Sequence, residues 1–353
     1  MGHKILVINP GSTSTKIGIY EDTTERLSQH LSHSAAEVAG FACIMDQLEY
    51  RLGKINEFLV AHAVNLQELA AVVGRGGLTR PVTSGTYRVN EAMLADLKSA
   101  RYSAHACNLG AILAEKIARE AGCPSFIVDP GVVDELEPVA RISGSPKWER
   151  IVIWHALNQK AVARRFAKKV GRTYEDMNLI VVHLGGGISV GCHKKGRAVE
   201  VNNALNGEGP FSPERVGTVQ SGKFAAAIQG LTLAEVEKML AGKGGLVAHL
   251  GTNDAREVER RIQTGDRKAE LIYQAMIYQI AKSIAAAAVP VYGKVDAIIL
   301  TGGIAYSQYL TSRVKEYVSF IAPVEVIPGE DELRALAEGA CRVLNGEETA
   351  KEY

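Results

Sequence analysis

Three short stretches gather residue types suited to a phosphorylated ligand. The first is Asn9-Pro-Gly11-Ser12-Thr-Ser14-Thr-Lys16. Gly11 permits a tight turn, while Ser12, Thr13, Ser14 and Lys16 set hydroxyls, backbone N–H groups and one cation around a concavity. Donors that converge with little reorganisation suit phosphate oxygens. The loop lacks the G-x-x-x-x-G-K-[ST] pattern and joins two strands, so it is neither a Walker loop nor a dinucleotide fingerprint opening a helix. The second stretch is Gly185-Gly186-Gly187, preceded by His183, where the backbone can approach a ligand closely. The third, Thr301-Gly302-Gly303-Ile304, places amides at a predicted helix start, where an anion or an adenosine sugar could sit. Each alone reads equally well as a polar turn. Together they outline a nucleotide cleft between two related domains.

The elements that must position these loops follow from the flanking residues. Lys4–Ile8 and Ile17–Tyr20 read as strands on either side of the first loop. The order recurs about 174 residues later, with strands at 179–182 and 188–192 around the glycines and a turn at His193–Gly196, which suggests a duplication. A third strand, Ala297–Leu300, runs into the last glycine pair. Apolar residues at helical spacing predict helices over 104–121, 158–170, 268–288 and 332–344. Interleaved strands and helices imply an α/β protein. The expected division is residues 1–155 with 331–353 as one domain and 156–330 as the other, the last helix returning to the first.

Composition narrows the function classes. The chain has 353 residues, 40 Lys+Arg against 39 Asp+Glu, and a net charge of +1, so no basic excess points to nucleic acid. Apolar residues make up 46% and charged residues 22%, an ordinary globular balance. Five scattered cysteines (43, 107, 123, 192, 341) without C-x-x-C spacing read as reduced thiols. Met1-Gly2-His3-Lys4 leads straight into a strand without a signal-peptide layout, and no uncharged apolar run nears the roughly 18 residues of a membrane span. A cytoplasmic protein with no membrane partner is expected.

Asn9-x-Gly11-Ser12-x-Ser14-x-Lys16, His183-Leu-Gly-x-Gly187 and Thr301-Gly-Gly-Ile304 resemble the acetate/butyrate kinase family of the actin-like ATPase superfamily. Further similarity runs through Val73-Gly-Arg75-Gly-Gly77, Ser103-x-His105-x-x-Asn108, Phe126-x-x-Asp129, Trp154-His155-Ala-Leu-Asn158 and Pro328-Gly-Glu-Asp-Glu332. Residues 155–163 and 209–215 look like the butyrate branch. The resemblance implies two duplicated actin-like (ribonuclease H-like) α/β domains with an interdomain nucleotide cleft. It also implies reversible phosphoryl transfer from ATP to a short-chain carboxylate, with Mg²⁺ as cofactor and a homodimer or larger homo-oligomer as the assembly.

The family resemblance assigns roles residue by residue. Arg75, Asp129, His155 and Arg215 are the expected catalytic residues. Asn9, Ser12, Ser14, Lys16, His183, Gly185, Gly187, Gly302, Gly303 and Ile304 are expected to bind nucleotide and phosphate. Asn9 with Asp331 or Glu332 would meet the metal. A carboxylate nucleophile is already ionised at pH 7 and needs no general base, so positioning and charge neutralisation carry the chemistry. Two departures stand out. Gly186 replaces an asparagine of acetate members, and the second arginine motif is absent from Gly217–Gly222, which leaves Arg215. Gly77 and Ala104 stand where acetate members carry larger residues, Trp154 adds bulk, and Pro213 borders the pocket. Lost volume predicts butyrate or isobutyrate over acetate.

Other readings are an acetate or propionate kinase, an actin-like kinase acting on a hydroxyl, and a non-catalytic nucleotide-gated protein. A hydroxyl acceptor would need a general-base aspartate, for which Asp129 is available.

Overall fold

The structure is a computed structural model that describes residues 2–353; Met1, where the N-terminal reading began, lies outside them. The chain forms two compact units, one running up to Val133 and resuming over Asp331–Tyr353, the other spanning Asp134–Glu330. The first crossing thus follows Val133, not residue 155. The reason lies in the contacts of 134–155. Glu135 accepts hydrogen bonds from Lys160 and the Ala198 amide, and the Glu137 amide donates to Val199, all within the second unit.

The first unit holds a six-stranded sheet in the order β3-β2-β1-β4-β6-β5. Its strands are β1 (Lys4–Pro10), β2 (Ser14–Glu21), β3 (Thr24–Ser32), β4 (Ala71–Arg75), β5 (Thr86–Arg88) and β6 (Ser125–Val128). The run Ile5–Ile8 is wholly buried, as a strand covered on both faces must be. Leu6, Ile8 and Val72 pack with Ile55 and Phe58 of helix α1 (Leu48–Ala61) and with Leu109, Leu113 and Ile117 of helix α2 (Asn108–Ala121). Helix α2 starts at Asn108 and not at Ala104. The Asn108 side chain donates to the Ser103 carbonyl and accepts from the Leu78 amide, which holds the preceding residues in a turn. It ends at Gly122, in the left-handed region at φ 71°.

One crossing in this unit depends on two glycines. A Cβ on Gly74 of β4 would lie 2.1 Å from the Gly110 carbonyl oxygen, and one on Gly110 of α2 would lie 2.2 Å from that of Arg75. Strand and helix meet backbone to backbone there.

The second unit has a five-stranded sheet, β11-β10-β7-β8-β9, built from β7 (Asn178–Leu184), β8 (Ile188–Lys194), β9 (Arg197–Val201), β10 (Ala297–Thr301) and β11 (Val324–Val326). In both sheets an antiparallel hairpin is extended by its third strand on one side and joined by a parallel strand on the other. Period-two alternation sorts the residues onto two faces. Ile180, Val182, Ile298 and Leu300 face a core that includes Tyr273, Met276 and Ile280 of helix α4 (Arg267–Ala287). Leu179, Val181, Ala297 and Ile299 face Val162 and Phe166 of helix α3 (Ala156–Lys169). After β10 the chain does not enter an α-helix directly. Gly302, at φ 90°, leads into a short 3-10 turn over Gly303–Tyr306, and helix α5 (Gln308–Val318) begins only after a Ser307 cap.

Helix α6 (Glu332–Leu344) packs on β1, β2, β4 and β6 of the first unit. Among the described residues no helix is long and apolar enough to cross a membrane.

Candidate active site

In the first unit the Asn9–Lys16 segment is a tight hairpin. Strands β1 and β2 continue into it until only residues 11–13 remain outside the ladder, with Asn9 paired to Lys16 and the Gly11 amide bonded to the Ser14 carbonyl at 2.8 Å. Ser12 is exposed, and Ser14 and Lys16 are half-buried.

Beside this hairpin lies a charged cluster. Asn9 is buried and its Nδ2 donates to Glu332 Oε2 at 2.6 Å. The other Glu332 oxygen accepts a short hydrogen bond from Arg75 Nη1, at the end of β4. Burial pushes the Glu332 carboxyl up, but Arg75, Asn9 and Lys16 outweigh it and hold the group below the usual carboxylate range. Asp331 is exposed, sits at φ 42° and faces Arg334 at 3.8 Å. The structure therefore places Glu332, and not Asp331, with Asn9 and Arg75.

Asp129 follows β6 and is 1% exposed, at φ 38°. Its Oδ1 accepts from Ser84 Oγ at 2.6 Å and from the Gly85 amide at 2.7 Å, so this oxygen braces a turn. Gly77 does not open space. A Cβ there would meet Asn108 Cα and Leu97 Cδ2, each at 2.7 Å. The glycine lets the chain pack on the start of α2, and the expectation that it adds pocket volume is corrected. Ala104 is exposed on the surface, so it encloses no pocket volume within this unit.

In the second unit His155 and His183 stack, their centroids 3.8 Å apart and their planes 9° from parallel. His155 Nδ1 meets Ser189 Oγ at 2.9 Å, and His183 Nδ1 meets Asn158 Oδ1 at 2.8 Å. Asn158 in turn donates to the Glu330 carbonyl at 3.0 Å, and Glu330 Oε1 lies 3.6 Å from His183 Nε2. Behind His155 runs a buried polar chain that the sequence did not reveal. Gln159 Nε2 donates to Ser189 Oγ at 2.8 Å and to the Ser189 carbonyl at 3.0 Å. Its Oε1 meets His193 Nε2 at 2.9 Å, and His193 Nδ1 meets the Tyr174 hydroxyl at 2.6 Å. Trp154 is buried, with its ring edge-on to His193 at 5.8 Å.

Arg215 lies against the triple-glycine turn, where its guanidinium occupies the space a side chain at Gly187 would need. Its Nη1 donates to the Ala204 carbonyl at 2.5 Å. Burial lowers its pKa and Glu214 opposes that, yet an arginine stays charged through such a shift. Buried Pro213 precedes it in a turn braced to the glycines by Ser212 Oγ, which donates to the Gly186 carbonyl at 2.6 Å. A Cβ on Gly186 would lie 3.3 Å from Glu214 Oε2, and Glu214 Oε1 accepts from Asn253 Nδ2 at 2.6 Å. Glu214 and Asn253 thus take the room beside the glycine that departs from the family pattern.

A cavity of about 800 Å³ lies in this unit, lined among others by Gly186, Glu214, Arg256, Gly303, Ile304 and Ser307. Gly185, Gly187 and Gly302 are buried in the adjoining turns. Among the described residues no three His, Cys, Asp or Glu side chains cluster as a metal cage. Mg²⁺ typically keeps waters and takes one or two carboxylates plus substrate phosphates, so Glu332 with Asn9 is a donor set that fits it.

Residues 151–322 match the model of the acetokinase family. An acetate kinase from Porphyromonas gingivalis superposes with a TM-score of 0.74 at 20% identity, covering 96% of this chain and 99% of that one. A propionate kinase from Francisella tularensis gives 0.73 at 20%, covering 95% and 98%. An acetate kinase from Entamoeba histolytica gives 0.73 at 18%, covering 95% and 98%. Over residues 151–322 this chain is thus similar in sequence to the acetokinase family, and its two-domain α/β fold is the one seen in these acetate and propionate kinases.

Proposed function

We propose that this chain is an ATP-dependent kinase that reversibly phosphorylates a short-chain carboxylate, with butyrate or isobutyrate as the acid. The observation that carries the reading is the Asn9–Glu332–Arg75 cluster beside the 11–13 hairpin, which sets a carboxylate, a guanidinium and phosphate-type donors together. One carboxylate oxygen of the acid attacks the γ-phosphorus, the bond to the β,γ-bridging oxygen breaks, and ADP leaves. No proton needs to move.

Charge neutralisation is then the main task. Arg75 and Arg215 supply fixed positive charge, His155 a ring N–H donor, and Ser12, Ser14 and Lys16 phosphate contacts. Adenosine is assigned to the 800 Å³ cavity, which Gly303 and Ile304 line, with Gly302 in the turn before them, and His183, Gly185 and Gly187 are assigned to phosphate. Mg²⁺, held by Glu332 and Asn9 through its waters, would screen phosphate charge. The butyrate preference is supported by the stretches 155–163 and 209–215, no longer by Gly77. We read the recurring sheet order as a duplication, place the reaction in the ATP-containing cytoplasm, and expect a homodimer or larger assembly.

The hydroxyl-kinase reading is disfavoured by Asp129, whose Oδ1 is committed to Ser84 and Gly85 and whose side chain is buried. The test is ATP-dependent acyl-hydroxamate formation with acetate, propionate, butyrate and isobutyrate. A kcat/KM for four-carbon acids at least about tenfold above acetate upholds the full proposal. Preference for acetate or propionate removes the butyrate assignment alone, and no hydroxamate with any acid removes the carboxylate kinase reading.

A further inference from the structure

Under the 11–13 hairpin lies an arginine that no motif pointed to. Arg51, on helix α1, is 0% exposed. All five of its N–H donors are used. Nε and Nη2 donate to Gln47 Oε1 at 3.1 and 2.8 Å, Nη1 to the Ser14 carbonyl and Thr15 Oγ1 at 3.0 Å each, and Nη2 also to the Ser12 carbonyl at 3.3 Å. Every one of these acceptors is neutral. Among the described residues no carboxylate pairs with it, although a buried charge normally has a counter-ion.

The hairpin is shaped by this contact. Arg51 holds the Ser12 and Ser14 carbonyls, and the Thr13 carbonyl accepts from the His33 amide at 2.8 Å. All three carbonyls are thereby turned to protein donors. Among the described residues no acceptor is bonded to the Ser12 or Thr13 amide, and both residues are exposed. Thr15 and His33 continue the network inward, Oγ1 to Nε2 at 2.9 Å. The charged groups around His33, exposed Glu37 and Glu57-paired Lys54, are of opposite sign. What remains is one buried positive charge, shielded from water, behind a turn whose exposed Ser12 and Thr13 keep their amides unbonded among the described residues.

We propose that Arg51 is a positioning residue for a polyphosphate bound at the 11–14 turn, acting through its charge and its grip on the Ser12 and Ser14 carbonyls. This rests on the assignment of that turn to phosphate in the proposed function. A permanent cation in low dielectric attracts an anion more strongly than an exposed lysine does, and it costs no reorganisation when the anion arrives. Its guanidinium also makes five hydrogen bonds to four acceptors at once, which an ammonium cannot.

The experiment is calorimetric titration of the full chain with tripolyphosphate, MgATP and adenosine, for wild type, Arg51→Gln and Arg51→Lys, with melting temperatures recorded. We expect Arg51→Gln to weaken tripolyphosphate on the order of tenfold and Arg51→Lys only about threefold, with adenosine unchanged in both. Equal loss in both variants, or parallel loss of adenosine, would make Arg51 a purely structural residue and overturn the inference. So would unchanged tripolyphosphate binding in Arg51→Gln. If Arg51→Gln does not fold, Arg51→Lys decides: affinity kept within about threefold despite a lower melting temperature supports the charge, and a greater loss rejects it. A wild-type chain that binds neither tripolyphosphate nor MgATP would instead remove the phosphate assignment itself.

Discussion

Gln159 and His193 face each other at 2.9 Å, Oε1 to Nε2, and this contact sets the hydrogen positions of a buried chain that ends at His155. The Ser189 carbonyl can only accept, so the Gln159 atom bonded to it is the amide nitrogen. Oε1 then faces His193, whose Nε2 must carry the hydrogen, and His193 Nδ1 accepts from Tyr174. Ser189 Oγ accepts from Gln159, and among the described residues His155 Nδ1 is the one acceptor within reach of its own hydrogen, so the hydroxyl donates to that nitrogen. Neutral His155 therefore carries its proton on Nε2.

Ser189→Ala and Gln159→Leu each remove one link of that chain. The expected loss in kcat is about tenfold, the worth of one hydrogen bond, with KM for ATP unchanged. Nitrogen-15 spectra of His155 should report an Nε2–H tautomer in the wild type and a tautomer mixture in Ser189→Ala. A single unchanged tautomer in the variant would contradict the chain.

The Arg75–Glu332 pair gives a pH signature. The folded Glu332 carboxyl sits below its ordinary value, so its contribution to stability is full above that value and is lost as pH falls through the depressed folded one. Acid unfolding below about pH 4.5 should therefore be less steep in Glu332→Gln, measured by denaturant titration across pH 3–7. Arg75→Ala leaves the carboxylate buried without its cation and should cost about 3 kcal/mol of stability at pH 7.

Gly77→Ala separates packing from pocket volume. The added Cβ must displace Asn108 backbone or Leu97, at an expected cost of about 2 kcal/mol. The ratio of kcat/KM for butyrate and acetate should stay as in the wild type. A shift of that ratio toward acetate would restore Gly77 to the acyl pocket.

Thiol chemistry should single out one cysteine. Cys43 is exposed, whereas burial pushes the thiols of Cys107 and Cys341 up to about 11 and that of Cys192 up to about 12. Burial also raises Cys123. A disulfide reagent at pH 8 should show one fast thiol, removed by Cys43→Ser, with the others reacting on unfolding.

Sequence reading was strongest where chemistry and local geometry coincide. The strands around both glycine hairpins announced themselves as apolar runs ending in turn residues, and Asn9, Arg75 and Glu332 come together in the structure. It was weakest where the determinant is a distant partner. Arg51 lies 36 residues from the hydroxyl it holds, on a helix that looks merely amphipathic. Gln159 meets Ser189 and His193 across 30 and 34 residues. Gly77 shows the complementary error. A missing side chain signals spare room only if nothing else fills it, and here helix α2 does.

The Gly74–Gly110 crossing constrains how this protein can change over time. Neither position has a tolerated single-step neighbour, because the smallest side chain on either partner would have to pass through the other's backbone. Relief would require β4 and α2 to separate, which would carry Arg75 away from Glu332 in the same motion. A lineage could therefore reach a different residue at either site only by loosening the Arg75–Glu332 pair on the way, so the two positions act as a lock on mutational drift through this part of the fold.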